Sequence, residues 1–152
     1  MDDFIKVLTG IAIAAVSSWI TVQLSRDKFR NERWWDKKVA AYERVIEAFH
    51  NSKKFLSEHL AAEEFGYEVN EIHDIELRKL AKDAGDEIKK SSDIGSFILS
   101  ESALKILDLY ATESENAPKE ESWYDYLNAD WARTDKYMKD FIAEAKLDLK
   151  KS

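Results

Sequence analysis

The run FIKVLTGIAIAAVSSWITVQL, from Phe4 to Leu24, constrains this chain more than any other stretch. Its only charged residue is Lys6, near one end, where a long side chain can snorkel to water. As an α-helix rising ~1.5 Å per residue, the run reaches about 30 Å, the thickness of a bilayer's hydrocarbon core. A helix satisfies its own backbone hydrogen bonds, as lipid demands. The run therefore reads as a single transmembrane anchor over residues 1–24. A cleaved signal peptide calls for a basic start, whereas Asp2 and Asp3 open this chain. An interfacial helix needs a charged polar face, which the run lacks. A buried core helix stays open as an alternative, because Thr9, Ser17, Ser18, Thr21 and Gln23 make the run only moderately apolar. Gly10, Ala14 and Ser18 recur at a four-residue spacing, a small-residue stripe through which two such helices could approach and self-associate.

The flanks orient the anchor. Asp2 and Asp3 precede it; Arg26, Lys28, Arg30, Arg33, Lys37 and Lys38 follow it. Basic flanks stay on the cytoplasmic side, so the N-terminus is expected outside and the rest of the chain in the cytosol. Near anionic lipid headgroups each of these cations contributes about 1 kcal/mol, an attraction diluted by Asp27, Glu32 and Asp36. Residues 25–34 read as a basic juxtamembrane helix that makes the anchor and the next helix one long rod. The net charge of −7 makes nucleic acid a poor partner.

With 35% charged residues and only four glycines and one proline, the remainder favours long helices over sheets. Residues 35–152 read as an antiparallel bundle of three long helices and one short one, which makes the chain all-α. The first bundle helix carries Trp35, Val39, Tyr42, Ile46, Phe49, Leu56 and Leu60 at heptad spacing, with Lys53 interrupting the seam, and ends near Ala62. The second runs from about Asn70 to Ser92 on Ile72, Leu77, Leu80, Ala81, Ala84 and Ile88. After a bend at Asp93–Gly95 and an apolar knot at Phe97, Ile98 and Leu99, Ser100 caps a short helix to about Thr112. The last runs from about Glu121 to Leu149 on Tyr124, Leu127, Trp131, Thr134, Met138, Phe141 and Ala145. Its seam matches that of the first, so these two are expected to pair.

Little in the sequence speaks for catalysis. Glu43, Glu47 and His50 share a helical face and match half of a carboxylate-bridged metal site, but no second Glu-x-x-His completes it. His50, His59 and His73 show no metal-ligand spacing. A phosphate-cradling glycine loop and a nucleophile elbow are both absent, and with no cysteine thiolate chemistry is excluded. No catalytic residue, metal ligand or cofactor is assigned. Trp34, Trp123 and Tyr126 lie off the helical seams and read as a partner surface, since amphipathic aromatics concentrate at contacts.

The segments RWWDKKVAAYERVIEAFHNSKKFL, DIGSFILSESALKIL and AEAKLDLKKS together resemble a group of small bacterial membrane-anchored helical proteins. The resemblance implies a bacterial inner membrane and a helical fold, and carries no activity. The leading expectation is a non-enzymatic, single-pass membrane protein whose cytosolic bundle binds itself or a protein partner. An oligomerising effector that perturbs the bilayer, of the anti-phage or toxin type, is the alternative. A carboxylate metal enzyme is a more distant one.

Overall fold

The structure, a computed structural model, describes residues 2–151, with side chains from Thr21 onward except Leu24 and Asp27. These residues form an all-α fold: α1 (Asp2–Phe65), α2 (Glu71–Ile94), α3 (Glu101–Glu115) and α4 (Trp123–Lys151), with a 3-10 turn at Gly95–Phe97. The chain divides into two units, Met1–Lys37 and Lys38–Ser152. Among the described residues no helix is long and apolar enough to cross a membrane. The expected anchor over Phe4–Leu24, including Gly10, Ala14 and Ser18, lies outside the described side chains except for Thr21, Val22 and Gln23.

The helices of the second unit begin and end on local chemistry. Gly66 adopts φ 69°, a left-handed turn that glycine alone enters freely, and Tyr67 N donates to Ala62 O at 3.0 Å to close α1. The Asn70 side chain caps α2 by accepting from the backbone of Ile72 and His73. Ser100 caps α3 by accepting from Ala103 N at 3.1 Å. Ser122 accepts from Asp125 N at 3.0 Å at the start of α4, which ends on Lys150 and Lys151 opposite its dipole. Between α2 and α3 the chain needs Gly95, because a Cβ there would stand 2.9 Å from a methyl of buried Leu99.

Neighbouring helices of this unit run antiparallel. Along α1 and α4, Tyr42 faces Asp148, Phe49 faces Phe141 and Ser57 faces Trp131. Along α1 and α2, His59 meets Asp74 and Phe55 meets Arg78. The α3 ring of Tyr110 reaches across to Phe49 at 5.0 Å and Tyr137 at 5.6 Å. Tyr42, Phe49, Leu107 and Phe141 are fully buried at the centre. The expected pairing of the first and last bundle helices holds. Lys53, which breaks the apolar seam of α1, makes a polar seam of its own: its ammonium meets Asp135 at 2.5 Å and lies 4.7 Å from the centre of the Trp131 ring.

Several expected core residues lie outside the core. Trp35 is 46% exposed, like Trp34, and the first buried positions of α1 are Ala41 and Tyr42. Trp35 belongs to the unit ending at Lys37, which contains no second helix to cover it. Tyr124 is 43% exposed, whereas Tyr137, off the expected seam, is buried. The reason is that α4 faces both α1 and α3, so Thr134, Tyr137 and Phe141 form a wider stripe than one seam provides. Ile72 and Phe97 are also exposed. Helix ends shift by a few residues: α1 runs on to Phe65, α3 to Glu115, and α4 starts at Trp123.

A polar lock joins three helices beside the apolar core. Tyr42 donates to Asp148 Oδ2 at 2.6 Å, and the Lys38 ammonium meets Oδ1 at 2.9 Å. Ser100 N donates back to the Tyr42 hydroxyl at 3.3 Å, and Ser100 Oγ donates to Glu144 at 2.9 Å. Burial opposes charge on Asp148, but the bonds from Tyr42 and Lys38 outweigh it and hold the carboxyl below its ordinary range. Burial, then the bond to Asp148, push the Tyr42 phenol up to about 12.

Three outcomes follow for the fold. Phe141→Ala should destabilise the bundle by about 3–5 kcal/mol in thermal or denaturant unfolding, through the cavity left between Tyr42 and Phe49. Gly85, in the middle of α2, has no atom within 4 Å of where a Cβ would stand, so Gly85→Ala should stabilise by about 0.5–1 kcal/mol. The lock sets the pH limits. The Asp148 contribution is full above 3.8 and is lost as pH falls through the lowered native value. The Tyr42 contribution is full below 10.0 and is lost as pH rises through about 12. Denaturation across pH should show Tyr42→Phe less stable at neutrality by about 1–3 kcal/mol. Its alkaline slope should be shallower, with the remainder carried by the other raised phenols, Tyr110, Tyr126 and Tyr137, the last pushed up to about 12.

Candidate interaction surface

The end of the bundle where α1 meets α2 carries the densest group of exposed apolar side chains among the described residues. Phe65 is 74% exposed and Ile72 71%, values at which neither contributes to a core. Tyr67 and Ile75 are exposed as well. The first turns of α4 reach the same end, because Trp123 approaches buried His59 edge-on at 6.2 Å. Trp123 and Tyr126 stack on each other, with centroids 5.3 Å apart and planes 16° from parallel. That stack sets two rings side by side with more than two-fifths of each open to solvent. Tyr124 stands exposed beside them. Exposed Glu63, Glu64, Glu68, Glu71, Glu120 and Glu121 adjoin these side chains in sequence. The surface thus combines exposed apolar side chains with anionic ones.

Two histidine–carboxylate contacts join α1 and α2 at this end. His59 Nε2 lies 3.0 Å from Asp74 Oδ1, and His73 Nε2 lies 2.6 Å from Glu58 Oε2. Arg78 donates to Asp74 Oδ2 at 2.8 Å, and this bond is the main reason the Asp74 carboxyl stays below its ordinary range. His59 is buried against the Phe55 ring, 4.4 Å away. His50 stays exposed on the face of Glu43 and Glu47. The sequence separates His59 from His73, yet it held a usable signal. Glu58-His59 and His73-Asp74 are mirrored dipeptides, and an antiparallel hairpin brings such pairs into register.

The basic group sorts differently from its sequence order. Arg26, Arg30, Arg33 and Lys37 follow a four-three-four spacing along α1, which puts them on one exposed face together with Phe29. Trp34 flanks that face. Lys28 lies off it, 3.9 Å from Glu32. Lys38 leaves the group altogether, since its ammonium is turned into the bundle against Asp148. Among the expected partner residues, Trp123 and Tyr126 stand together, whereas Trp34 belongs to the other unit. Sequence reasoning missed Phe65, Tyr67, Ile72 and Ile75, because helical periodicity alone does not show where a bundle stops covering its own seams.

No family model, curated protein or solved structure matches this chain. The reading of these surfaces therefore rests on their chemistry.

If the aromatic end serves contact and not folding, its exposed rings should be dispensable for stability. Tyr124→Ser should leave the unfolding free energy within about 0.5 kcal/mol of the parent, whereas Leu127→Ala, one turn further into the core, should cost about 2–5 kcal/mol.

Proposed function

We propose that this chain is a membrane-anchored interaction module: a single N-terminal span, a basic segment at the lipid headgroups, and a cytosolic four-helix bundle that presents an aromatic, acidic end to a protein partner. The observation that carries the reading is the set of Phe65, Ile72, Trp123 and Tyr126, large apolar side chains exposed at the end of the bundle where α1 meets α2 and α4 begins. Monomeric proteins rarely leave such a patch uncovered, and one rimmed with charge marks a contact site. Aromatic anchors within a polar rim are also the usual distribution of binding energy at protein interfaces.

The anchor is supported by the length and apolarity of Phe4–Leu24. The inward orientation is supported by the basic residues that follow it and the acidic pair that precedes it. Arg26, Arg30, Arg33 and Lys37 on one helical face suit a surface of anionic headgroups, and Phe29 on the same face adds an apolar contact. An acidic surface suits a protein partner with basic residues and disfavours nucleic acid.

Two measurements test the proposal. The full chain should stay with the membrane fraction after an alkaline carbonate wash, and a C-terminal tag should resist protease in intact spheroplasts. A tag digested there, or a chain that washes off, refutes the placement. A photo-crosslinking amino acid at Tyr124 should trap one discrete adduct in cells, whereas the same group at exposed Lys139 should not. Equal labelling at both sites would deny the aromatic end its role.

A further inference from the structure

A second surface lies along the side of the bundle. Helices α2 and α3 touch each other much less than α3 and α4 do, and between them runs an open groove of about 570 Å³. It is lined by exposed Gly85 and half-buried Ala111, with Ile88 and Leu107 of the core behind them. The aromatic end shares none of these residues.

Gly85 is the informative one. It sits in the interior of α2, where glycine weakens a helix relative to alanine. Two common structural reasons for a glycine are absent. Its φ is not positive, and a Cβ placed on it would meet no atom within 4 Å. Gly95 shows the contrast, since a Cβ there would press on Leu99 and Leu104. Gly85, Ile88, Lys89 and Ser92 share the stripe of α2 that lines the groove, so a side chain at position 85 would occupy space at its mouth. The glycine thus keeps open a space that the fold itself does not use, at a cost to helix stability. A bare backbone at that point suits the close approach of another main chain.

We infer that the α2–α3 groove docks an amphipathic helix of a partner protein, with the partner's apolar face on Gly85, Tyr110 and Ala111 and its basic residues on the groove's edges. The groove is open to solvent, takes in residues 85–93 of α2 and 107–115 of α3, and has apolar residues in its lining, as helix-in-groove recognition requires. Its edges decide the charge of the occupant. Asp93, Asp108 and Glu115 line them against the single cation Lys89. Ser92 already donates to Asp108, which orients that carboxylate on the α3 side. A second copy of this groove is a poor occupant, because two such acidic edges brought face to face repel.

The chain has no cysteine, so a single introduced thiol reports position without background. Thr112, on the groove wall, and Lys139, exposed on α4, are each replaced by cysteine in the full chain in mild detergent. The probes are model helices of leucine and lysine in amphipathic order, and of leucine and glutamate in the same order, each ending in cysteine. The lysine peptide should form a disulphide at Thr112→Cys about tenfold faster than at Lys139→Cys, and the glutamate peptide should show no such excess. Adding Gly85→Leu should abolish the excess while the melting temperature stays at or above that of the parent, and Gly85→Ala should keep most of it. Equal rates at the two cysteines, an excess that survives Gly85→Leu, or an equal excess with the glutamate peptide would each overturn the inference. Rapid disulphide formation between two Thr112→Cys chains would overturn it too, by assigning the groove to a second copy. None of these readouts depends on the aromatic end or on the anchor, so the two proposals fail separately.

Discussion

The Asp148 carboxylate is the constraint on which the arrangement of the bundle turns. An apolar core holds helices together without fixing how far each slides along its neighbour. Asp148 does fix it, because one oxygen takes the Tyr42 hydroxyl and the other the Lys38 ammonium, both from α1. Tyr42 in turn accepts from the first backbone amide of the α3 cap, and Ser100 spends its own proton on Glu144 of α4. One network therefore ties α1, α3 and α4 at a single level. A half-buried anion is costly unless it finds donors, and here both donors to Asp148 come from α1. A slip of α1 along α4 by one turn would carry both donors away from the carboxylate, which penalises alternative packings more than it favours this one.

The two ends of the bundle are held by different chemistry, and that difference explains what each can do. At the Asp148 end, polar groups are paired inward around Tyr42, and Ile94, Phe97 and Leu147 stand exposed nearby. At the other end the inward pairs are His59 with Asp74 and His73 with Glu58, which clamp only α1 to α2. The start of α4 is attached there mainly by Trp131 to Ser57 and by the approach of Trp123 to His59. Trp123, Tyr124 and Tyr126 face outward there, beside the exposed ends of α1 and α2. The same local physics that spares this end from packing makes it a surface.

The elements of the fold were legible where the signal is local. Asn70 and Ser100 cap as their side chains dictate, and heptad spacing in α1 and α4 located most of the central residues. The failures share one cause. Periodicity reports the face a residue occupies and says nothing of whether another helix lies opposite, so Trp35 and Tyr124 keep the rhythm of the core beyond its edge. Tyr137 was missed because α4 packs on two neighbours and buries a broader arc than one seam. Lys53 looked like an interruption and is a contact, since its partners Asp135 and Trp131 lie on α4, far away in sequence. Of the candidate surface, Trp123 and Tyr126 were readable as aromatics off a seam. Phe65 and Ile72 required knowing where α1 stops.

Gly85 brings these strands together. Most residues of the bundle can be explained by what they touch, and the lock, the core and the caps all satisfy that test. A Cβ at Gly85 would meet no neighbouring side chain or helix, its backbone conformation is open to any residue, and it weakens the helix that contains it. Selection for stability alone would replace it readily, because compatible glycine-to-alanine changes are among the easiest routes to a more stable protein. A position that is locally suboptimal without a structural reason points outward, to something the isolated chain does not contain. The exposed rings at the end of the bundle make the same argument from the opposite direction, with apolar surface present where folding does not require it. One surface lacks a side chain and the other has side chains to spare, and each is intelligible as half of a contact.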